Sequence, residues 1–360
     1  MNSLETFLNS MAKSIQNELP DYNGSHSMSY WMNTLSIIRK TVWPYEYYMS
    51  SDIDARIALN NASVILDYGF YSASLLYGGT ASPLYVGSHA FENCNIGSRT
   101  IYLSNAKYIG ESAFYSAKFS STQGVTLNGS ISKNAFAYAS IGRSIQGSIS
   151  IIEPNAFYRI SIYNSQYRKV NLPECVHVGY SAFYSTNIQY FSANSALSLI
   201  GGYAFCNNQY LLRATMASSI NMGAFGYCYS LSTYDGLSRI QYIGSSAFDY
   251  NYSMQNMDLP ECIYVGSLAF RGCYSSTSSY RKNFKMISLP KCSYIGNSAF
   301  YMDGALRSVY LMGSSVTKLG GSSVFYSCPA SVYVPASLYS DYLSASYWST
   351  TYSTKLVSVS

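Results

Sequence analysis

Charge is scarce in this chain. Only 11% of its 360 residues are Asp, Glu, Lys or Arg, against roughly 25% in ordinary soluble domains. The 22 basic and 17 acidic residues leave a net charge of +5, and no Lys/Arg run gathers it. Nucleic-acid binding needs a basic stripe or patch, so no nucleic-acid partner is expected. No apolar run approaches the roughly 18 residues of a membrane span, so no membrane insertion is expected. Histidine is almost absent: His26, His89 and His177 are the only three. His89 and His177 fall in slots that small residues and Tyr fill elsewhere, which makes them repeat variation, not general bases. There is no Gly-x-Ser-x-Gly elbow, phosphate loop or paired-His metal motif, and the carboxylates are scattered. The chain therefore reads as non-enzymatic, with no cofactor and no metal. The N-terminus lacks the basic and apolar regions of a secretory signal. That points to a virion-associated or cytoplasmic protein, or to a cell-surface protein whose start has been trimmed.

What is abundant is a phrase. Two apolar residues, Gly, two small residues and Ala-Phe recur about every 22 residues. The clearest copies run Tyr85-Val86-Gly87 to Ala90-Phe91, Tyr108-Ile109-Gly110 to Ala113-Phe114, and His177-Val178-Gly179 to Ala182-Phe183. Three more start at Tyr242, Tyr264 and Tyr294 and end at Phe248, Phe270 and Phe300. Weaker copies end at Phe70, Phe136, Phe157, Phe205, Phe225 and Phe325. A period of this length marks a solenoid, in which each repeat buries its apolar face only against its neighbours. Each unit carries a short strand with period-two alternation, such as Lys169-Val170-Asn171-Leu172 or Met286-Ile287-Ser288-Leu289, which puts Val170, Leu172, Ile287 and Leu289 inside. The Ala-Phe segment reads as a single helical turn that closes the coil. The repeat Gly suits a left-handed or a crowded backbone position. Neighbouring Phe rings are expected to stack near the interstrand spacing of about 4.8 Å. The insertion from Tyr274 to Lys285 is expected to bulge as a loop.

Eight cysteines would suggest disulfides, but their placement argues otherwise. Cys94, Cys228, Cys273 and Cys328 each follow an anchor Phe by three positions, where Ala117 and Ala139 stand in other repeats. Cys175, Cys262 and Cys292 share a second slot with Ala106. Exchange with Ala identifies small buried sites suited to free thiols.

The ends differ from the middle. Leu4, Phe7, Leu8, Met11, Ile15 and Leu19 follow helical spacing, so residues 1–19 are expected to form an amphipathic helix that caps the first coil or self-associates. The chain divides into an N-terminal helical segment (1–60), a repeat solenoid (61–330) and a C-terminal cap (331–360). In the cap, Ser331–Pro335 reads as a strand, Ser337 to about Tyr347 as a helix capped by Ser337, and Lys355–Val359 as a final strand.

Two candidate binding faces follow. The first lies two residues before the repeat Gly: Tyr85, Tyr108, His177, Tyr242, Tyr264 and Tyr294. The second is the outward row of the longer strands: Tyr102, Thr126, Asn171, Thr215, Asp258, Ser288, Tyr310 and Tyr333. Another Tyr file directly follows the anchor Phe, at Tyr71, Tyr115, Tyr158, Tyr184, Tyr301 and Tyr326. A surface of Tyr, Ser and Asn resembles an antibody paratope in chemistry: rigid amphipathic area with adaptable hydrogen bonds. Aligned Tyr residues can equally stack on each other and hold the coil together.

The pattern Leu-Pro-x-Cys-x-x-Ile-Gly-x-x-Ala-Phe resembles the BspA-type leucine-rich repeat, best in Leu259-Pro260-Glu261-Cys262-Ile263-Tyr264-Val265-Gly266-Ser267-Leu268-Ala269-Phe270. The resemblance spans roughly residues 61–335. Val332-Tyr333-Val334-Pro335, followed by Tyr342 and Trp348, looks like the end cap of such proteins. The resemblance implies a strand-rich α/β repeat solenoid, a right-handed leucine-rich-repeat coil of eleven or twelve turns. It also implies a protein or glycan ligand on a cell surface, because family members are mostly bacterial or protist surface proteins that bind proteins or host matrix. Surface members usually carry a signal peptide, which is not visible here. The opening Leu4-Glu5-Thr6-Phe7-Leu8 is similar to short N-terminal helices of phage and prophage repeat proteins, which implies a virion or tail component.

Overall fold

The computed structural model describes residues 62–75, 79–274 and 284–360. The expected helix at 1–19 and most of the 274–285 insertion lie outside these residues.

Each coil makes two strands. A short strand such as Tyr85–Val86 or Tyr264–Val265 enters the repeat Gly. A broader strand such as Val125–Asn128 or Lys169–Leu172 returns along another side. Every pair is parallel and joins equivalent strands of successive coils. The short strands stack into sheets of four and eight, and the broad strands into sheets of two, six and five. Third-side bridges link Ser74, Asn95, Lys118 and Ser140. The solenoid has about 13 turns, slightly more than expected, because the terminal strand Leu356–Val359 adds a rung beside Ser331–Pro335. The α component is smaller than expected: among the described residues the single α-helix is Tyr339–Ser344 in the cap.

The Ala-Phe segment is not a helical turn. It is a run of tight turns in which residues two before and two after the anchor Phe, from Phe70 to Phe300, have positive φ, for example His89 (56°) and Asn93 (56°), or Ser112 (55°) and Ser116 (54°). Successive N–H groups alternate in where they go. Gly69, Tyr71 and Ala73 bond three residues back, to Leu66, Tyr68 and Phe70, while Tyr68, Phe70 and Ser72 donate to Ser88, Ala90 and Glu92 of the next coil. A helix would direct all of these bonds along its own axis and leave neighbouring coils unjoined. The alternation satisfies every second N–H across the coil boundary, and this holds non-Gly residues in a left-handed conformation they otherwise disfavour.

The repeat Gly is required by crowding, not by a left-handed backbone. A Cβ on Gly266 would lie 2.5 Å from the Ser245 nitrogen, and one on Gly110 would lie 2.6 Å from the Ser88 nitrogen.

The core is a column of phenylalanines. Twelve rings from Phe70 to Phe325 stack in order, with centroids 4.9 to 5.5 Å apart. That spacing is close to the strand repeat. The stack runs through the 26-residue and 30-residue coils without a break, at 5.1 Å between Phe157 and Phe183 and 5.4 Å between Phe270 and Phe300. Extra chain is expelled outward. In the first of these coils it forms the 3-10 turn Ser165–Tyr167, capped by the Asn164 side chain.

All eight cysteines are free and buried. Burial pushes Cys94, Cys175, Cys262, Cys292 and Cys328 up to about 12 and Cys206 to about 11. The position three past the anchor Phe has a specific task. Its side chain donates to the Phe carbonyl of the preceding coil: Asn208 Nδ2 to Phe183 (2.7 Å), Cys228 Sγ to Phe205 (3.0 Å), Asn251 Nδ2 to Phe225 (2.8 Å) and Cys273 Sγ to Phe248 (3.0 Å). Asp303 occupies this slot after Phe300 and is 1% exposed.

The cap replaces a missing coil. Phe300 donates its N–H to Val324 of the next turn (2.9 Å). Phe325 instead donates to the Tyr352 hydroxyl (3.1 Å), which donates in turn to Ser322 O. Thr317 N–H meets the Tyr342 hydroxyl (3.1 Å), and Trp348 Nε1 donates to Thr317 O (2.8 Å). Trp348 and Tyr342 are fully buried over the end of the Phe column. The α-helix starts later than expected, at Tyr339 after a 3-10 turn Ala336–Leu338, and Ser337 makes no cap.

Candidate binding faces

The first candidate face forms one column in the structure but not one aromatic surface. Reading along the short strands, the position is Val64, Tyr85, Tyr108 and Ser130 in one sheet. In the other it is Ile151, His177, Leu199, Ser219, Tyr242, Tyr264, Tyr294 and Lys318. Tyr85 and Tyr108 stack at 5.1 Å. Tyr242, Tyr264 and Tyr294 form a triple stack at 4.8 and 5.2 Å. His177 sits between Ile151 and Leu199, three coils from Tyr242, and belongs to neither block. Burial, then the neighbouring Tyr242 and Tyr294 phenols, raises the Tyr264 pKa, so this ring stays neutral.

The second face follows the broad strands. Thr126, Gln146 and Asn171 are consecutive rungs, as are Asp258, Ser288, Tyr310 and Tyr333. Tyr310 and Tyr333 stack at 4.7 Å. Tyr102 and Thr126 share a shallow groove of about 410 Å³ with Arg143 and Gln146. Thr215 is not outward. It is 4% exposed, because its hydroxyl turns inward to accept the Ala193 N–H (3.2 Å). Its neighbours Arg213 and Asp235 face solvent as a bidentate pair at 2.7 Å.

The turn corner supplies a third face. Tyr158 and Tyr184 stack at 5.2 Å, as do Tyr301 and Tyr326. Ala137 interrupts the post-Phe file between Tyr115 and Tyr158, but Tyr138 from the next position fills the gap, 5.2 and 5.4 Å from its neighbours. Opposite stand Tyr180 and Tyr203, edge to face at 5.8 Å. Between the two files runs a groove of about 670 Å³ with Asn134, Asn155 and Ser181 along it. Tyr138, Tyr180 and Tyr203 belong to none of the three ladders expected from sequence. The signal for Tyr138 and Tyr203 was a spacing of two residues from the anchor Phe, and Tyr180 lies three before its own. Further along the corner, Asp249 and Arg271 take the post-Phe slot as an ion pair, with Tyr250 under the guanidinium.

No group of three or more His, Cys, Asp or Glu residues able to hold a metal occurs among the described residues. His89 pairs with Glu92 and stacks on Tyr68. No described helix is long and apolar enough to cross a membrane.

Comparison with curated proteins gives no match. A leucine-rich repeat protein from Bacteroides ovatus ATCC 8483, solved by crystallography, aligns over 83% of this chain and 88% of its own at 18% identity, with a TM-score of 0.33. A likeness that weak adds nothing to the fold described above. The family model for the BspA type leucine-rich repeat region matches residues 44–164, 84–212 and 214–331. Matched over most of its length, the chain belongs to the BspA-type leucine-rich repeat family.

Proposed function

We propose that the protein is a non-enzymatic recognition module for a protein or glycan on a cell surface. The observation that carries this is the division of labour between aromatics. Phe fills the core, while eleven tyrosines stand exposed among the described residues, including Tyr102, Tyr138, Tyr180, Tyr210 and Tyr326. Rigid amphipathic rings in Ser- and Asn-rich surroundings favour contact with a partner by area and hydrogen bonds. With so few charges, bulk electrostatic attraction contributes little. The phage or prophage setting rests on the resemblance of residues 1–19.

The test is binding of the purified chain to whole bacterial cells, a glycan array and immobilised host matrix proteins, at low and high salt. Saturable binding that survives added salt supports the reading. A folded protein that binds none of them is a structural spacer, whose stacked Tyr85–Tyr108 and Tyr242–Tyr264–Tyr294 blocks only stiffen the coil.

A further inference from the structure

We propose that the corner groove between Tyr138 and Tyr180 is a binding site for a neutral, extended oligosaccharide, lying along the solenoid axis; this deepens the recognition role proposed above and rests on it. Four observations converge. Aromatic residues from two files line opposite sides of this groove, with Tyr138 and Tyr180 exposed at 41% and 53%. None of its lining residues is charged, and Arg159 beside it lies over the Tyr158 ring. That environment favours a ligand without formal charge.

The third observation concerns polar groups. Asn134 and Asn155 sit in the groove with left-handed backbones (φ 58° and 57°). Their main chains bond to Pro154 and Tyr180 of the next coil. Their side-chain amides have no partner among the described residues. Elsewhere the half-buried or buried asparagines Asn187 and Asn208 spend their amides on backbone. The groove thus offers donors and acceptors beside apolar rings, the pairing that a sugar needs: its C–H groups pack against the rings while its hydroxyls reach sideways.

The fourth is periodicity. Successive rings Tyr115, Tyr138, Tyr158 and Tyr184 repeat every 5.2 to 5.4 Å, about the length that one hexose adds to an extended chain. One sugar per coil would keep register along the groove. A folded peptide lacks that repeat, and an anionic polymer would find no charged residue lining the groove.

The experiment measures binding of the full chain to cellohexaose, laminarihexaose, mannohexaose and chitohexaose by calorimetry, beside whole-cell binding. Two variants are compared with wild type. Tyr138→Asn with Tyr180→Ser removes the opposed rings, and Asn suits the left-handed site at 138. Asn134→Gly with Asn155→Gly removes the amides and keeps the backbone. The expected result is saturable binding of at least one of the four, weakened tenfold or more in each variant. Glu261→Gln with Lys291→Gln, an exposed ion pair outside every candidate face, should leave it unchanged. Binding that persists in both groove variants, or that belongs only to charged glycans, overturns the site. If cells bind but no neutral oligosaccharide does, the groove assignment is wrong while the recognition role stands. If nothing binds, both fall.

Discussion

Asp303 is the residue whose chemistry conflicts most with its place. It stands three past Phe300, in the slot where Asn208, Cys228, Asn251 and Cys273 each donate to the Phe carbonyl of the preceding coil. The slot calls for a donor, and by register its acceptor is Phe270. A carboxylate has no proton to give. Neither Asp303 oxygen makes a hydrogen bond of full geometry among the described residues, and the backbone N–H of Cys273 is the donor near enough to favour its charged form. Burial pushes its carboxyl well above the usual range, and the Cys273 backbone only partly opposes this. The folded state therefore binds a proton more tightly than the unfolded chain, whose Asp titrates near about 3.9. The stability this proton supplies is complete below that value. It is lost as pH rises towards the folded pKa, by about 1.4 kcal/mol per pH unit.

Asp303→Asn supplies the donor permanently. Summed from pH 4 to pH 7, that slope amounts to at most about 4 kcal/mol, so the variant should melt several degrees higher than wild type at pH 7. The assay is thermal melting of both proteins from pH 4 to pH 8. Taking the difference between them cancels titrations common to both. The gap should nearly close at pH 4 and widen with pH. A variant that is no more stable at pH 7, or a gap that does not change with pH, refutes the reasoning.

Other consequences are simpler. Tyr352→Phe strips the hydroxyl that receives the Phe325 N–H and should cost about 1–3 kcal/mol, read as an earlier urea midpoint; an unchanged midpoint means water replaces the hydroxyl and the cap is not sealed. Gly266→Ala forces a Cβ to 2.5 Å from the Ser245 nitrogen and should destabilise by about 1–3 kcal/mol, whereas Gly226→Ala, with 3.4 Å of room, should be far milder. The raised thiol pKa values predict that Ellman's reagent at pH 7 finds almost no reactive cysteine in the native protein and all eight after denaturation; rapid native labelling would contradict the burial.

The repeat, the strands and the Phe column were legible because they follow periodicities the chain cannot hide: 22 residues per coil and two per strand face. Crowding at the repeat Gly was legible as one of two options, since a fixed Gly signals either space or φ. The corner was not. The recurring Ala-Phe invites a helical reading although the Gly, Ser and Asn around it form helices poorly, and the intercoil bonds select turns with left-handed residues. Thr215 shows another limit, since a Thr on an outward strand position can rotate its hydroxyl inward to a free N–H. His177 shows a third. A slot repeated in sequence is a neighbour in space only when adjacent coils also fill it, and Ile151 and Leu199 do not.

The corner also carries its own argument for function. Left-handed positions favour Gly and Asn, and bulky side chains there cost backbone energy. Yet Tyr68, Tyr138, Tyr203, Tyr227 and Tyr250 all hold φ between 54° and 60°. Local energetics alone would place Asn at these sites, as it does at Asn134 and Asn155. Either ring packing compensates or the rings serve a partner. Tyr138→Asn separates the two. It relieves an unfavourable backbone worth about 1 kcal/mol and forfeits ring contacts to Tyr115 and Tyr158. If the ring is there for a ligand, the variant should melt at or above the wild-type temperature while oligosaccharide binding falls. If it melts clearly lower, Tyr138 is held by its neighbours, and the corner file is a structural stack like the Phe column beneath it.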